Sequence, residues 1–243
     1  MSTVKVLPDL RAGGGAQMAL DAGLLETTAE VIARRYTWAP PALSIGRFQE
    51  VRLVPGLPFA VVRRPTGGRA VLHGEAFEWS FAVAFPPGVP ATGPRAPVDV
   101  DGAYGLVAGA FAAALKDLGL TLDGHGEVPY QRSALCFAGA LRYDICSHGQ
   151  KVVAIAQAKR GGRTLVHGSF LMQRPPDELT RAVEAMVGEP WEGEGLTGAG
   201  VLLAPETIWS ATLRKLETGL RRFAAGREDG GVPGAAGEGR SDG

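Results

Sequence analysis

The sequence predicts an α+β fold, a mixed β-sheet flanked by helices, in one domain over residues 1–225. Three observations carry that reading. Apolar periodicity switches between helical and strand spacing several times, yet strands follow strands and the helices do not alternate strictly with them. Hydrophobic content of 45% and charged content of 21% are those of an ordinary globular chain. A length of 243 residues is enough for one large core or two small ones, and no internal repeat points to a solenoid.

The elements follow in order. Leu20, Leu24, Thr27/Thr28 and Val31 recur at helical spacing, with Leu25 and Ile32 beside them, which predicts a first helix over Ala16–Arg34. Gly13-Gly14-Gly15 precede it, but no Gly-Lys-Ser/Thr follows, so they read as a plain loop rather than a phosphate cradle. Short apolar runs bounded by Gly or Pro predict strands at Ala42–Gly46, Phe59–Arg63, Arg69–His73 and Phe77–Phe85. Pro86–Pro97 is a Pro/Gly-rich loop, either a flap over a site or an inert surface loop. Tyr104, Val107, Phe111, Leu115 and Leu118 mark a second helix, with Asp101 as N-cap and Gly119 as stop. Strands are expected at Leu141–Ser147, Lys151–Lys159 and Arg163–Met172, joined by His148-Gly149-Gln150 and Gly161-Gly162 turns. Helices are expected at Asp177–Val187 and Glu206–Ala225; in the latter Trp209, Leu213, Leu216, Leu220 and Phe223 form one apolar stripe. Residues 226–243 are Gly, Ala, Ser and charge, the composition of a disordered tail.

Bulk properties exclude several classes. Formal net charge is zero, so nothing global favours nucleic acid or an anionic membrane. No apolar run approaches the roughly 18 residues that span a bilayer, and Met1–Leu10 lacks a secretory pattern. Two cysteines do not make a disulfide framework, so a reduced, cytoplasmic setting is the default, and a monomer is expected. No HExxH or CxxC spacing suggests a metal site, and no G-x-S-x-G elbow or G-x-G-x-x-G fingerprint is present.

Four kinds of residue can carry chemistry. The stretch Arg63-Arg64-Pro65-Thr66-Gly67-Gly68-Arg69-Ala70-Val71-Leu72-His73 joins fixed positive charge, a glycine turn and a strand, and could hold an acyl or phosphate group against backbone N–H groups. Cys136 lies between the second helix and the later strands; it is either a nucleophile activated by a nearby cation or a small buried hydrophobe. Cys146, inside the pattern Tyr143-Asp144-Ile145-Cys146-Ser147, reads as a packing residue. Arginine outnumbers lysine 20 to 5, which makes Lys151, leading an apolar strand, worth inspection; it is either solvated there or turned into a cleft. His73 and His167 are each either a base or a packing residue.

Taken together these segments resemble the biotin/lipoate protein ligase and octanoyltransferase superfamily, over roughly Gly14–Met172. Gln17-Met18-Ala19-Leu20-Asp21 looks like its first helix, and Pro41–Gln49 like its Ser-x-Gly-x-x-Gln strand and loop. Arg63–His73 looks like its Arg-Arg-x-Thr/Ser-Gly-Gly core, and Gly149-Gln150-Lys151 like the Gly-x-Lys that places its site lysine. Within the superfamily three features resemble the cysteine-dependent transferases. Cys136 precedes Lys151 by 15 residues, Arg69 stands where ligases usually carry a third Gly, and Gln157 and His167-Gly168-Ser169 resemble transferase elements. Little sequence follows the last expected helix, so the accessory C-terminal domain of many ligases is not expected here. Two departures are Ala154 and Gly74, where the family usually has Gly and often Asp.

The resemblance implies a class II biotin/lipoate ligase-like fold. It implies octanoyl transfer from octanoyl-acyl carrier protein, through a Cys136 thioester, to the lysine of lipoyl domains such as the glycine-cleavage H protein and 2-oxoacid dehydrogenase E2, with no cofactor. Cys136 and Lys151 would be catalytic. Arg64, Thr66, Gly67, Gly68, Arg69, Ala70, Val71, Leu72, His73 and His167 would bind substrate. The alternatives are an ATP-dependent lipoate ligase using Arg64, Arg69 and Lys151, octanoyl transfer between lipoyl domains, and a non-catalytic relative.

Overall fold

The computed structural model describes residues 4–89, 102–124, 132–198 and 200–228. Its elements are β1 (Lys5–Val6), β2 (Leu10–Ala12), α1 (Gly14–Thr27), β3 (Ile32–Trp38), β4 (Ala42–Ile45), β5 (Ala60–Arg63), β6 (Val71–His73), β7 (Glu78–Phe85), α2 (Ala103–Asp117), β8 (Ile145–Ser147), β9 (Gln150–Arg160), β10 (Arg163–Leu171), α3 (Asp177–Val187), α4 (Gly195–Gly198) and α5 (Pro205–Glu228). Seven strands form one sheet in the order β1-β3-β7-β10-β9-β8, with β2 added against β3. The short strands β1 and β2 run parallel to β3, and the remaining pairs are antiparallel. A second sheet, β5-β4-β6, pairs β4 with β5 parallel and with β6 antiparallel. The arrangement is the expected α+β mixed sheet with flanking helices.

The two faces of the large sheet differ in side-chain size, and that difference makes the site. Successive strand residues point to opposite faces. Trp79, Phe81, Val83 and Phe85 of β7 join Phe170 of β10, Phe111 of α2 and Trp209 of α5 in one core cluster. Trp79 stacks on Phe170 at 5.1 Å between ring centroids, and Phe81 lies 4.3 Å from Phe111. The alternate residues of the same strands are small or polar: Ser80, Ala82 and Ala84 on β7, and Ser169 and His167 on β10, opposite Ala154 and Ala156 of β9. Met18 and Leu25 of α1 pack with Ala82 and Ala84 on this side.

Several elements depart from expectation. The first helix ends at Thr27, not Arg34, and residues from Ile32 enter β3. Thr27, Thr28, Val31 and Ile32 are β-branched and weak helix formers, and pairing of Ile32–Tyr36 with β7 decides the conformation. The periodicity misled because the buried side of α1 is partly polar: Gln17 and Asp21 are fully buried while Leu20 is 46% exposed. The strand expected at Leu141–Ser147 is only Ile145–Ser147, since the Asp144 carboxylate accepts the Leu141 N–H at 2.8 Å and closes a turn there. Strands β1 and β2 were not anticipated; each is two or three residues long and exists by pairing with distant β3. The last helix runs on to Glu228, so residues 226–228 are helical, and the rest of the expected tail lies outside the described residues. Asp101 and most of the Pro86–Pro97 loop, from Pro90 onward, also lie outside them. The strands β4 to β7, β9 and β10, helix α2 and the helix Asp177–Val187 lie where periodicity put them, within a residue or two.

Gly168 lies on β10 between His167 and Ser169, with its missing side chain directed at the aromatic face. A Cβ there would lie 2.3 Å from the Ala154 carbonyl oxygen and 2.5 Å from the Phe81 ring. Gly168→Ala is expected to destabilise the protein by about 1–3 kcal/mol, the range of core overpacking. Urea unfolding of wild type and variant measures it; an unchanged midpoint would contradict this packing.

Candidate active site

A cavity of about 170 Å³ opens between the small-residue face of the large sheet and the strands β4 and β6. Its floor follows the strand ladder, from Ala154 and Ala156 on β9 through Ser169 and His167 on β10 to Ser80 on β7 and Tyr36 on β3. Four adjacent strands span about 14 Å at the usual inter-strand spacing. Val71, Met18 and Trp38 complete apolar walls.

Cys136 stands at the mouth because its segment pairs with the glycine loop. The Ala70 N–H donates to Ala134 O at 3.0 Å and the Cys136 N–H to Ala70 O at 2.9 Å, around a parallel bridge between Ala70 and Leu135. The chain then turns through a short 3-10 segment, Cys136–Ala138, which leaves the thiol half-buried against the cavity. Lys151, near the start of β9, reaches the same place. Its side chain is 2% exposed, and its Nζ donates to Cys136 O, lies 2.8 Å from Asp144 Oδ2 and stands 3.9 Å from Cys136 Sγ. Burial disfavours the ammonium, but the charges of Cys136 and Asp144 outweigh it and hold Lys151 above its usual range. Of the two sequence alternatives, the lysine takes the cleft.

Asp144 was missed by the sequence reading. Besides Lys151 it accepts the Ile155 N–H at 3.2 Å, so it clips the turn after Gly139 to β9. The available signal was an acidic residue leading the strand that pairs with the lysine's strand.

The glycine-arginine stretch divides its work. Arg64 is 6% exposed and uses all its donors on the protein: Nε and one terminal nitrogen on Gly67 O, the same nitrogen on Arg69 O at 2.6 Å, the other on Ser44 O and Oγ. Burial is the main influence on it and lowers its guanidinium from the usual range. Arg64 thus shapes the loop that borders the cavity. Gly46 backs onto this loop so closely that a Cβ would lie 2.0 Å from Gly68 O, and Gly68 itself has φ +93. Arg64, Gly68, Arg69, Val71, His73 and His167 line the cavity together with Cys136 and Lys151. Thr66, Gly67, Ala70 and Leu72 do not line it; strand alternation turns Leu72 into the core behind.

Both histidines are bridges. His167 Nδ1 lies 2.9 Å from Asp21 Oδ2 and its Nε2 2.6 Å from Thr66 Oγ1. A carboxylate only accepts, so in the neutral ring Nδ1 carries the hydrogen and Nε2 accepts from Thr66. His73 repeats the pattern: Nδ1 is 3.1 Å from Glu78 Oε1 and Nε2 is 2.8 Å from Ser44 Oγ, with the ring stacked on Trp38 at 3.9 Å. Ser80 and Ser169 also donate to Glu78 Oε1, while Glu78 Oε2 is buried with no partner among the described residues. Glu78, a lone acid inside an apolar strand, and Asp21, on the buried side of α1, were both visible as anomalies yet were not singled out. Among the described residues neither histidine is hydrogen-bonded to the Cys136 thiol, whereas Lys151 Nζ stands 3.9 Å from it.

A family model described as the lipoyl protein ligase A/B catalytic domain matches residues 14–191. An octanoyltransferase LipM of Halalkalibacterium halodurans is 35% identical over 182 residues, covering 67% of this chain and 63% of that protein. One from Carboxydothermus hydrogenoformans is 31% identical over 195 residues, covering 76% and 70%. The chain thus spans about 63% of the length of the first of these curated relatives. Among solved structures, a bi-partite lipoate protein ligase from Thermoplasma acidophilum, studied with its E2 lipoyl domain, superposes with a TM-score of 0.64 at 21% identity, covering 91% of this chain and 84% of that one. That likeness concerns the fold.

Two outcomes follow from the site's electrostatics. Cys146 is buried, and burial lifts its thiol to about 11. Iodoacetamide at about pH 8 should therefore add one carbamidomethyl group, mapped by peptide mass to Cys136, and leave Cys146 unmodified. Burial also holds His73 below the 6.5 of an unfolded chain, against the pull of Glu78. A depressed pKa contributes stability that is whole above about 6.5 and is lost as pH falls from there through the folded value. Urea midpoints between about pH 5 and 7.5 should fall on the acid side, and His73→Gln should flatten that fall.

Proposed function

Because the chain belongs to the lipoyl protein ligase A/B catalytic domain family, we propose that it transfers an octanoyl group from octanoyl-acyl carrier protein to the target lysine of lipoyl domains, through a thioester on Cys136. The observation that carries this reading is the Lys151 ammonium 3.9 Å from Cys136 Sγ at the mouth of a mainly apolar cavity. An ATP-dependent ligase needs no thiol at that point. The family membership and the octanoyltransferase names of relatives at 31–35% identity support the same reading.

The chemistry is two displacements. The Cys136 thiolate attacks the thioester carbonyl; a new C–S bond forms, the bond to the carrier's thiol breaks, and that thiol leaves with the electron pair and takes up a proton. The neutral amine of the acceptor lysine then attacks the acyl-enzyme, loses a proton as the amide forms, and returns Cys136 as thiolate. Both steps place negative charge on the acyl oxygen. Lys151 is a cation held 3.9 Å from the thiol, and its bonds to Cys136 O and Asp144 fix its position beforehand. The octanoyl chain lies over Ala154, Ala156 and Val71 towards Trp38 and Met18. The Ala154 methyl is part of that wall, and Gly74 leaves room for the Phe77 ring, which a Cβ would meet at 2.6 Å. Arg69, Gly68 and His73 shape the channel, while Arg64, Thr66 and His167 position its loop.

Intact-mass spectrometry after incubation with octanoyl-acyl carrier protein should record one octanoyl adduct. Hydroxylamine should remove the adduct from wild type, and Cys136→Ala should form none. Lys151→Met should slow adduct formation by about 10²-fold or more, as expected for loss of a preorganised charge donor. Modification of a lipoyl domain only when ATP and free lipoate are supplied would overturn the transferase reading.

A further inference from the structure

The connection between β4 and β5, residues 46–59, contains no helix or strand. At fourteen residues it reaches the roughly 12–15 beyond which structureless loops usually serve a function. It forms a lip beside the cavity mouth, held against the two loops that border it. The Arg47 N–H donates to Thr66 O at 2.8 Å, Gly46 packs on Gly68, and Gln49 Nε2 donates at 2.9 Å to Ala134 O, two residues before Cys136. The lip is also braced from below. One Arg63 terminal nitrogen donates to Gly46 O, Arg47 O and Gln49 O at 2.7, 3.0 and 2.9 Å.

What this braced lip presents to solvent is unusual. Phe48 is 82% exposed and Leu53 62% exposed, two large apolar side chains on one short loop. Arg47 lies over the Phe48 ring at 5.4 Å, and Arg52 is exposed beside Leu53. Exposed Arg63 and Lys159 border the groove that continues from Arg47. Against these four cations the loop sets only the Glu50 carboxylate, and the neighbouring Arg160 is paired with Glu26. The whole chain has zero net charge, so positive charge is concentrated here. Aromatic and aliphatic anchors ringed by arginines are the make-up of a protein-docking surface.

We propose that Arg47, Phe48, Arg52 and Leu53 form the docking surface for the acyl donor, an acidic carrier protein that presents its thioester on a flexible arm. The assignment rests on the transferase reading above. Positive charge at the lip steers an acidic carrier to the mouth, and the apolar pair gives it purchase within an arm's reach of Cys136.

The test separates the carrier from the acyl group. The variant Arg47→Glu/Arg52→Glu leaves Cys136, Lys151 and the cavity untouched. It should bind octanoyl-acyl carrier protein about tenfold or more weakly in calorimetric titration and show a matching rise in KM. Cys136 acylation by octanoyl-N-acetylcysteamine, which has no protein to dock, should stay within about twofold of wild type and thereby report that the variant is folded. Wild-type carrier binding should weaken with added salt. Phe48→Ala should weaken carrier binding without changing the small-thioester rate. Unchanged carrier binding in the reversed-charge variant overturns the docking assignment, as does an equal loss with both donors. Failure of wild type to take an octanoyl group from the small thioester speaks instead against the transferase reading, while the binding comparison still decides the surface.

Discussion

A single buried carboxylate, Asp21 on α1, is the constraint on which the site's geometry depends. It is fully buried and joins three parts of the molecule: Arg34 at 3.0 Å and Tyr36 at 2.8 Å on β3, and His167 at 2.9 Å on β10. Through His167 it reaches Thr66 and so the glycine loop. A buried charge is tolerated only when paired and hydrogen-bonded, and removing one member leaves the other uncompensated. The network therefore sets where α1 lies on the sheet and where the loop stands over it. Ser44, His73 and Glu78 make a second bridge of the same form between the small sheet and the large one.

These bridges explain how a cavity survives in a close-packed protein. Interiors ordinarily collapse onto gaps. Here the aromatic face of the large sheet packs against α2 and α5, while the opposite face carries Ala, Ser and His167 and is kept apart from its cover by polar struts of fixed length. Stability and function are thus assigned to opposite sides of the same strands. The struts also spend the wall's hydrogen-bond donors on one another, which leaves a channel suited to an aliphatic chain.

At the mouth, backbone pairing places Cys136 and Lys151. Cys136 comes to the glycine loop because residues 134–136 pair with Ala70, and Lys151 arrives from the start of β9, beside the edge strand β8. Asp144 fixes the ammonium from the side. The lip of residues 46–59 is hydrogen-bonded to both loops.

Local pattern carried much of this. The short apolar run Phe77–Phe85 marked a strand, the 4,3-spaced stripe from Trp209 to Phe223 marked α5, and the run Arg63–His73 with Cys136 and Lys151 marked the candidate chemistry and the family resemblance. Those signals are written within a few residues, where side-chain spacing and turn residues act directly on the backbone. What stayed hidden depends on partners far along the chain. The end of α1 at Thr27 is decided by β7, fifty residues on; β1 and β2 exist only against β3; the polar side of α1 is buried because Arg34 and His167 lie opposite. The sequence by itself determined the fold class, the order of the main elements and the residue types at the mouth. Only the tertiary structure decided that Arg64 shapes the loop, that the histidines brace the walls, and that Lys151 with Asp144 faces the thiol, because those roles are set by contacts between residues up to 146 positions apart.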